Sequence, residues 1–203
     1  MSKIDKRSWD ERFSADEYVY GTDPNVFFRE QLDKLNPGKL LLLGEGEGRN
    51  GVYAAKMNWE VDAVDLSDQA KVKALKLAER EHVQLNYEVH NLTEYKPKRN
   101  YYDAIGIIFF HLEKADVVKI FSEAKKALKK GGVIISEVFS INQIGRTSGG
   151  PKDPDLLYKT SDFEKAFKEL ETIQLEESLV ELNEGRLHQG EAMVVRYVGE
   201  NKL

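Results

Sequence analysis

The chain has 203 residues, 41% of them hydrophobic and 32% charged, which suits one well-packed domain and rules out a globally disordered chain. Thirty Lys and Arg stand against 35 Asp and Glu, a net charge of −5 that disfavours gripping nucleic acid or an anionic membrane. Cysteine is absent, so disulfides, thiolate metal sites and a cysteine nucleophile are excluded.

The opening Met1-Ser-Lys-Ile-Asp-Lys-Arg-Ser lacks the apolar core of a secretory signal. The longest strongly apolar run, Ala104–Phe110, falls far short of the ~20 residues of a membrane helix. Both point to a cytoplasmic protein. Residues 1–36 are aromatic and acidic, broken by Gly21 and Pro24, and predict a partly helical cover over a sheet edge or a ligand. Residues 37–203 form the main domain.

From there short β-like runs alternate with helical ones, the pattern of an α/β sheet covered on both faces. Leu40–Leu43 predicts a buried central strand running into glycines. A helix follows over about Asn50–Asn58, then a strand over Glu60–Asp65. Ser67 caps a helix to about Glu81, with Ala70, Ala74, Leu77 and Ala78 at core spacing. Leu85–His90 and Asp103–Phe110 read as strands three and four. Val117–Leu128 reads as a helix stopped by Gly131-Gly132, and Val133–Phe139 as a fifth strand. Ser140–Tyr158 is a long Gly/Pro-rich loop, either functional or mobile. Ser161-Asp-Phe-Glu164 reads as a capping box opening a helix to about Leu170. Thr172–Leu182 and Ala192–Val198 then form an antiparallel hairpin around a loop at Asn183–Gly190.

The strongest chemical signal is Leu41-Leu-Leu-Gly-Glu-Gly-Glu-Gly-Arg-Asn-Gly51. Clustered glycines between a strand and a helix let backbone approach a ligand at the carboxyl end of a sheet. Gly46-x-Gly48-x-x-Gly51 also satisfies a dinucleotide fingerprint. Asp65, ending the next strand, can accept hydrogen bonds from both hydroxyls of a ribose, which points to an adenosine-containing ligand of either kind. Glu45 and Glu47 favour a cation over a pyrophosphate, since unit charges ~4 Å apart interact by ~4 kcal/mol at an effective dielectric of 20. S-adenosylmethionine meets that demand.

The chain resembles class I S-adenosylmethionine-dependent methyltransferases, in particular the tellurite-resistance and thiopurine-methyltransferase-like branch. The resemblance rests on Gly44–Asn50, Val64-Asp-Leu-Ser67, Asn91-Leu92, Tyr102-Asp-Ala-Ile105, Phe110-His-Leu112 and Leu128-Lys-Lys-Gly-Gly132. It extends to Trp9-Asp-Glu-Arg-Phe13, Tyr18-Val-Tyr-Gly21, Pro24-Asn25 and Glu184–Ala192. It implies a Rossmann-like seven-stranded, mostly parallel sheet with the last strand antiparallel. It also implies S-adenosyl-L-methionine as cofactor, with Gly44, Glu45, Gly46 and Asn50 along its methionine part and Asp65 at the ribose. Leu66, Asn91 and Leu92 would border the adenine, and Phe109–His111 would lie beneath the sulfonium. Trp9, Phe13, Tyr18 and Tyr20 either cover the cofactor as an aromatic lid or only pack an N-terminal helix on the sheet edge. The family often has an acid two positions before the first glycine, where this chain has Leu42.

For the methyl acceptor, His111 either handles a proton or only shapes the pocket. Arg186 and His188, in the expected hairpin turn, either meet an anionic substrate or sit in solvent. Arg146 is a further substrate clamp to consider, and the lysines between Lys125 and Lys130 read as a solvated helix face. No spacing argues for a metal. The acceptor expected is a small, soft anion or thiol such as tellurite or selenite. An NAD(P)-binding oxidoreductase and a non-catalytic methyltransferase-fold module are the competing readings.

Overall fold

A computed structural model describes residues 6–202; residues 1–5, on which the secretory-signal reading partly rests, and residue 203 lie outside them. Two short helices, α1 (Lys6–Phe13) and α2 (Val26–Leu32), precede β1 (Lys39–Leu43). Then come α3 (Arg49–Lys56), β2 (Glu60–Asp65), α4 (Asp68–Arg80), β3 (Asn86–Val89) and β4 (Tyr102–Ile108). The chain closes with α5 (Lys114–Ala127), β5 (Leu128–Phe139), α6 (Thr160–Ala166), β6 (Glu171–Glu184) and β7 (His188–Glu200). No described helix is long and apolar enough to cross a membrane.

The seven strands lie in the order β3-β2-β1-β4-β5-β7-β6. β1 to β5 pair in parallel, and only β7 runs against the rest, as the resemblance implies. Because side chains alternate along a strand, the four leucines of β1 serve both faces. Leu41 and Leu43 pack with Ile105, Phe121 and Phe163 beneath α5 and α6. Leu40 and Leu42 pack with Phe27, Phe28 and Ala54 beneath α2 and α3. β1 neighbours both β2 and β4, so the chain's order reverses there, and the loops after β1 and β4 part to leave a crevice.

Four expectations need correction. The described part of the N-terminal segment, residues 6–36, is not one cover: α1 lies over the crevice, whereas Phe27, Phe28 and Leu32 of α2 belong to the main core. Gly131-Gly132 does not stop a helix. α5 ends at Ala127 and β5 begins at once, with Gly131 at φ 78° where the β4–β5 register shifts. α6 starts two residues earlier than a Ser161 cap implies, and Asp162 rather than Glu164 closes its first turn, accepting from the Lys159 N–H at 2.9 Å. The final hairpin is longer than expected, with strands of 14 and 13 residues and a turn of only three, Gly185–Leu187.

The 140–158 loop is tied down. Gln143 is buried, its amide donating to Ser148 Oγ and Gly149 O and its carbonyl accepting from Met193 N. The lysines near the end of α5 pair outward with Glu169, Glu123 and Asp103.

Truncating Phe28 to Ala should lower the unfolding free energy in urea by about 3–5 kcal/mol, the range for a large buried aromatic. A loss below 1 kcal/mol would mean that α2 is a detachable cover.

Candidate active site

A cavity of about 520 Å³ opens in the crevice at the carboxyl ends of β1, β2 and β4. One end is walled by Gly44–Glu47, Asp65, Leu66, Asn91 and Leu92. The other is walled by Phe109, His111, Phe139, Gly149, Gly150, Pro151 and His188, with Trp9, Arg12 and Tyr20 at the rim. The expected site residues line it, except Arg186, Arg146 and Tyr18. Arg186 is exposed in the hairpin turn, because β7 starts early enough to bury His188 and leave the arginine outside. Arg146 is also outside, 3.6 Å from Glu191.

Local backbone chemistry builds the first wall. Gly44 and Gly48 sit at φ 72° and 93°, where an L side chain is strained. A Cβ on Gly44 would lie 2.8 Å from the Phe110 ring, and one on Gly48 would lie 2.7 Å from the backbone of Ala74. Asp65 holds the loop from the next strand, accepting from Gly46 N at 2.9 Å and Ser67 N at 3.0 Å. Tyr87 donates its hydroxyl to Gly46 O at 2.6 Å, a support that the sequence signals only as an aromatic in a strand.

The acidic loop does not present two bare charges, which corrects the electrostatic expectation. Glu47, also at the cavity wall, accepts from Val19 N at 2.8 Å and Tyr20 N at 3.3 Å, and pairs with buried Lys73 at 2.6 Å. Its charge is thereby spent on fastening the N-terminal segment. Glu45, at the same wall, accepts from Gly51 N at 2.7 Å, but burial raises its carboxyl to about 8. Burial also raises Asp65, despite its backbone donors. Leu42, at the position of the family's missing acid, points into the core beside Phe28 and Gly106.

At the other end β4 stops at Ile108, two residues before its expected end. Phe109 takes a left-handed φ of 47°, uncommon for an aromatic residue, and turns the chain toward the cavity. His111 Nδ1 lies 3.0 Å from Leu156 O, a geometry that puts the proton on Nδ1 and a lone pair on Nε2. Burial lowers this imidazole to about 3, so it is neutral. Nε2 is buried and has no hydrogen-bond partner. His188 packs against Tyr20, Phe109 and Phe139 at ring-centroid distances of 4.5, 4.5 and 5.2 Å.

Behind His188 stands a buried polar network whose roles the sequence did not disclose. Glu184 is 3.3 Å from His188 Nδ1 and 2.9 Å from Arg49 NH2. Asn25 donates to both Glu184 (2.9 Å) and Glu137 (2.7 Å), and Arg196 donates to Glu137 at 2.6 Å. Asn50 Oδ1 accepts from Asn25 N at 2.9 Å, so its carbonyl serves this network. Burial opposes ionisation of Glu184, but His188 and Arg49 outweigh it and hold the carboxyl near 2. The usable signal was alternation: Glu184 and His188 stand directly opposite each other across the closing pair of β6 and β7.

Residues 40–132 match the family described as a methyltransferase domain. A curated relative, Hemagglutinin 1 of Eikenella corrodens, is 27% identical over 112 residues, covering 55% of this chain and 37% of that protein. The chain therefore spans little more than a third of that relative's length. Among solved structures, TehB of Haemophilus influenzae superposes with a TM-score of 0.74 at 16% identity, over 97% of this chain and 67% of that one. The N-methyltransferase NodS of Bradyrhizobium japonicum, solved with S-adenosyl-L-homocysteine, gives a TM-score of 0.72 at 12% identity over 98% of both chains.

Glu45 carries a pH signature. Its folded carboxyl keeps a proton up to about 8, whereas an ordinary one loses it near 4.5. Its contribution to stability is complete below the lower value and is lost as pH rises through the upper one. The urea midpoint of the free protein should therefore fall more steeply from pH 5 to 8 in wild type than in Glu45→Gln. Equal slopes would contradict the assignment.

Proposed function

We propose that this chain, a class I S-adenosylmethionine-dependent methyltransferase, acts on a small, soft acceptor, a thiol or a chalcogen oxyanion, held between His111 and His188. The observation that carries this reading is the continuity of one cavity from the glycine loop to the two histidines. Donor and acceptor placed at its two ends would meet without an intervening wall. A volume of about 520 Å³ also limits the acceptor to a small molecule beside the donor.

The donor end suits an adenosyl sulfonium. Asp65 keeps lone pairs for ribose hydroxyls beyond the two backbone N–H groups it already accepts. Gly44 and Gly46 bring backbone against the ligand, with Glu45 beside them. A carboxyl that burial keeps protonated in the free protein ionises at small cost once a cation lies next to it. Leu66 and Leu92 offer apolar walls for an adenine, and Phe109 and Phe110 close the site beneath the sulfur. S-adenosylmethionine supplies the electrophilic methyl group, while the chain supplies alignment and desolvation, which together reach roughly 7–11 kcal/mol in well-oriented reactions.

Over the site we place α1 as a lid. Trp9 stacks on Phe13 at 5.5 Å, Arg12 lies 4.8 Å over the Trp9 ring, and Arg12 NH1 donates to Tyr20 OH at 3.0 Å. The acidic net charge and the absence of cysteine support a cytoplasmic enzyme with small-molecule partners and no nucleic acid.

Asp65→Ala should weaken S-adenosylmethionine binding at least about tenfold in calorimetry, ~1.5 kcal/mol for a lost hydrogen bond to a charged group. An unchanged affinity would remove Asp65 from the ribose.

A further inference from the structure

We infer that the acceptor end of the cavity is a proton-accepting subsite, in which Glu184 positions His188 to take a proton from a nucleophile that arrives as X–H. This deepens the function proposed above and rests on it. Three observations carry it.

First, the ring of His188 has a defined orientation. Nδ1 faces Glu184 Oε2 at 3.3 Å, so the proton of the neutral imidazole lies there. Nε2 is on the opposite side of the ring, where a Cβ built on the cavity-lining Gly149 would lie 3.5 Å from it. Second, Glu184 is held as a carboxylate by two buried donors. Arg49 donates to one of its oxygens and Asn25 to the other, both at 2.9 Å. A carboxylate behind Nδ1 fixes the tautomer and stabilises the imidazolium formed when Nε2 gains a proton. Third, His111 adds a second lone pair. Its Nδ1 is committed to Leu156 O, and its buried Nε2 is without a partner. Both imidazoles pack on Phe139, at 5.5 and 5.2 Å, so the two lone pairs belong to one aromatic wall.

Such a wall discriminates by protonation state. An X–H group satisfies a lone pair there, whereas an oxyanion meets two lone pairs in a desolvated pocket. The groups facing His188 are Glu184 from β6, Arg49 from α3, Arg12 from α1, the Tyr20 hydroxyl and His111 beyond the end of β4. Only Glu184 among them is an anion, and Arg49 already neutralises it. In the transfer step His188 Nε2 takes the proton from X as X bonds the methyl carbon. The methyl–sulfur bond breaks with its electron pair left on sulfur, and the donor's positive charge reappears on the imidazolium beside Glu184. Atoms and charge balance without a further reactant.

The test compares wild type, Glu184→Gln and His188→Gln, each first titrated with S-adenosylhomocysteine. The probes, compared at pH 9, are phenylmethanethiol, still mostly a protonated thiol there, and selenite, by then largely a dianion with no O–H to offer. Wild type in its S-adenosylhomocysteine complex should bind the thiol at least tenfold more tightly than selenite and methylate it when loaded with S-adenosylmethionine. Glu184→Gln, assayed at saturating S-adenosylmethionine, should lose at least tenfold in kcat for the thiol. Its His188 should also titrate at lower pH by nitrogen NMR, since the carboxylate that favours the imidazolium is gone. His188→Gln should lose about a hundredfold in kcat, the low end for general-base catalysis. Equal or tighter selenite binding, absence of thiol binding or methylation, or an unmoved His188 titration in Glu184→Gln would overturn the proposal. Failure of wild type to bind S-adenosylhomocysteine would overturn the methyl-transfer reading itself, and this proposal with it.

Discussion

The ion pair between Arg49 and Glu184, 2.9 Å long and almost wholly buried, is the point on which the site turns. Two charges removed from water destabilise a fold unless each is well paired and its remaining hydrogen-bonding capacity is used. Here both conditions are met by groups distant in sequence. Glu184 also accepts from Asn25 and faces His188, while Arg49 also donates to Tyr20 O. Arg49 opens the helix after the glycine loop, Asn25 and Tyr20 belong to the N-terminal segment, and Glu184 and His188 close the last hairpin. A single desolvated pair thus forces three parts of the chain into one register around the cavity.

That constraint explains why the N-terminal segment follows the glycine loop rather than drifting over it. Glu47 accepts from Val19 N and Tyr20 N, Asn50 accepts from Asn25 N, and Lys73 pairs with Glu47 while donating to Ala15 O and Glu17 O. The loop therefore has two surfaces with different work. Its backbone and Glu45 face the cavity, and its remaining polar side chains fasten the cover. Neutral Glu45 in the free protein and ionised Glu184 behind His188 show how burial and pairing separate two carboxylates of the same type.

The central sheet was legible because its strands are buried on both faces and read as apolar runs between glycines and caps. β2 has its expected limits, and Ser67 caps α4, its hydroxyl accepting from Ala70 N. The glycine-loop wall of the cavity was legible as well, since glycines and a strand-end aspartate need only local geometry. What was not legible depends on contacts across long sequence distances. Nothing near Asn25 announces that its amide bridges Glu137 and Glu184, more than a hundred residues away. The hairpin turn was placed too wide because Glu184 and His188, both polar, read as loop. Their burial follows from each other and from Arg49, and it separates two residues expected together in the turn, leaving Arg186 in solvent and bringing His188 to the cavity. The glycine pair 131–132 misled for a similar reason: it serves a bulge between strands, a tertiary demand that a local stop signal imitates.

The glycine loop, the N-terminal segment and the last hairpin should respond as one unit through the Arg49–Glu184 pair. Hydrogen–deuterium exchange of the intact protein with and without S-adenosylhomocysteine tests this most directly. Amides in 19–25, 45–51 and 184–190 should gain protection together on binding. Protection confined to the glycine loop, with the other two segments exchanging as before, would contradict it.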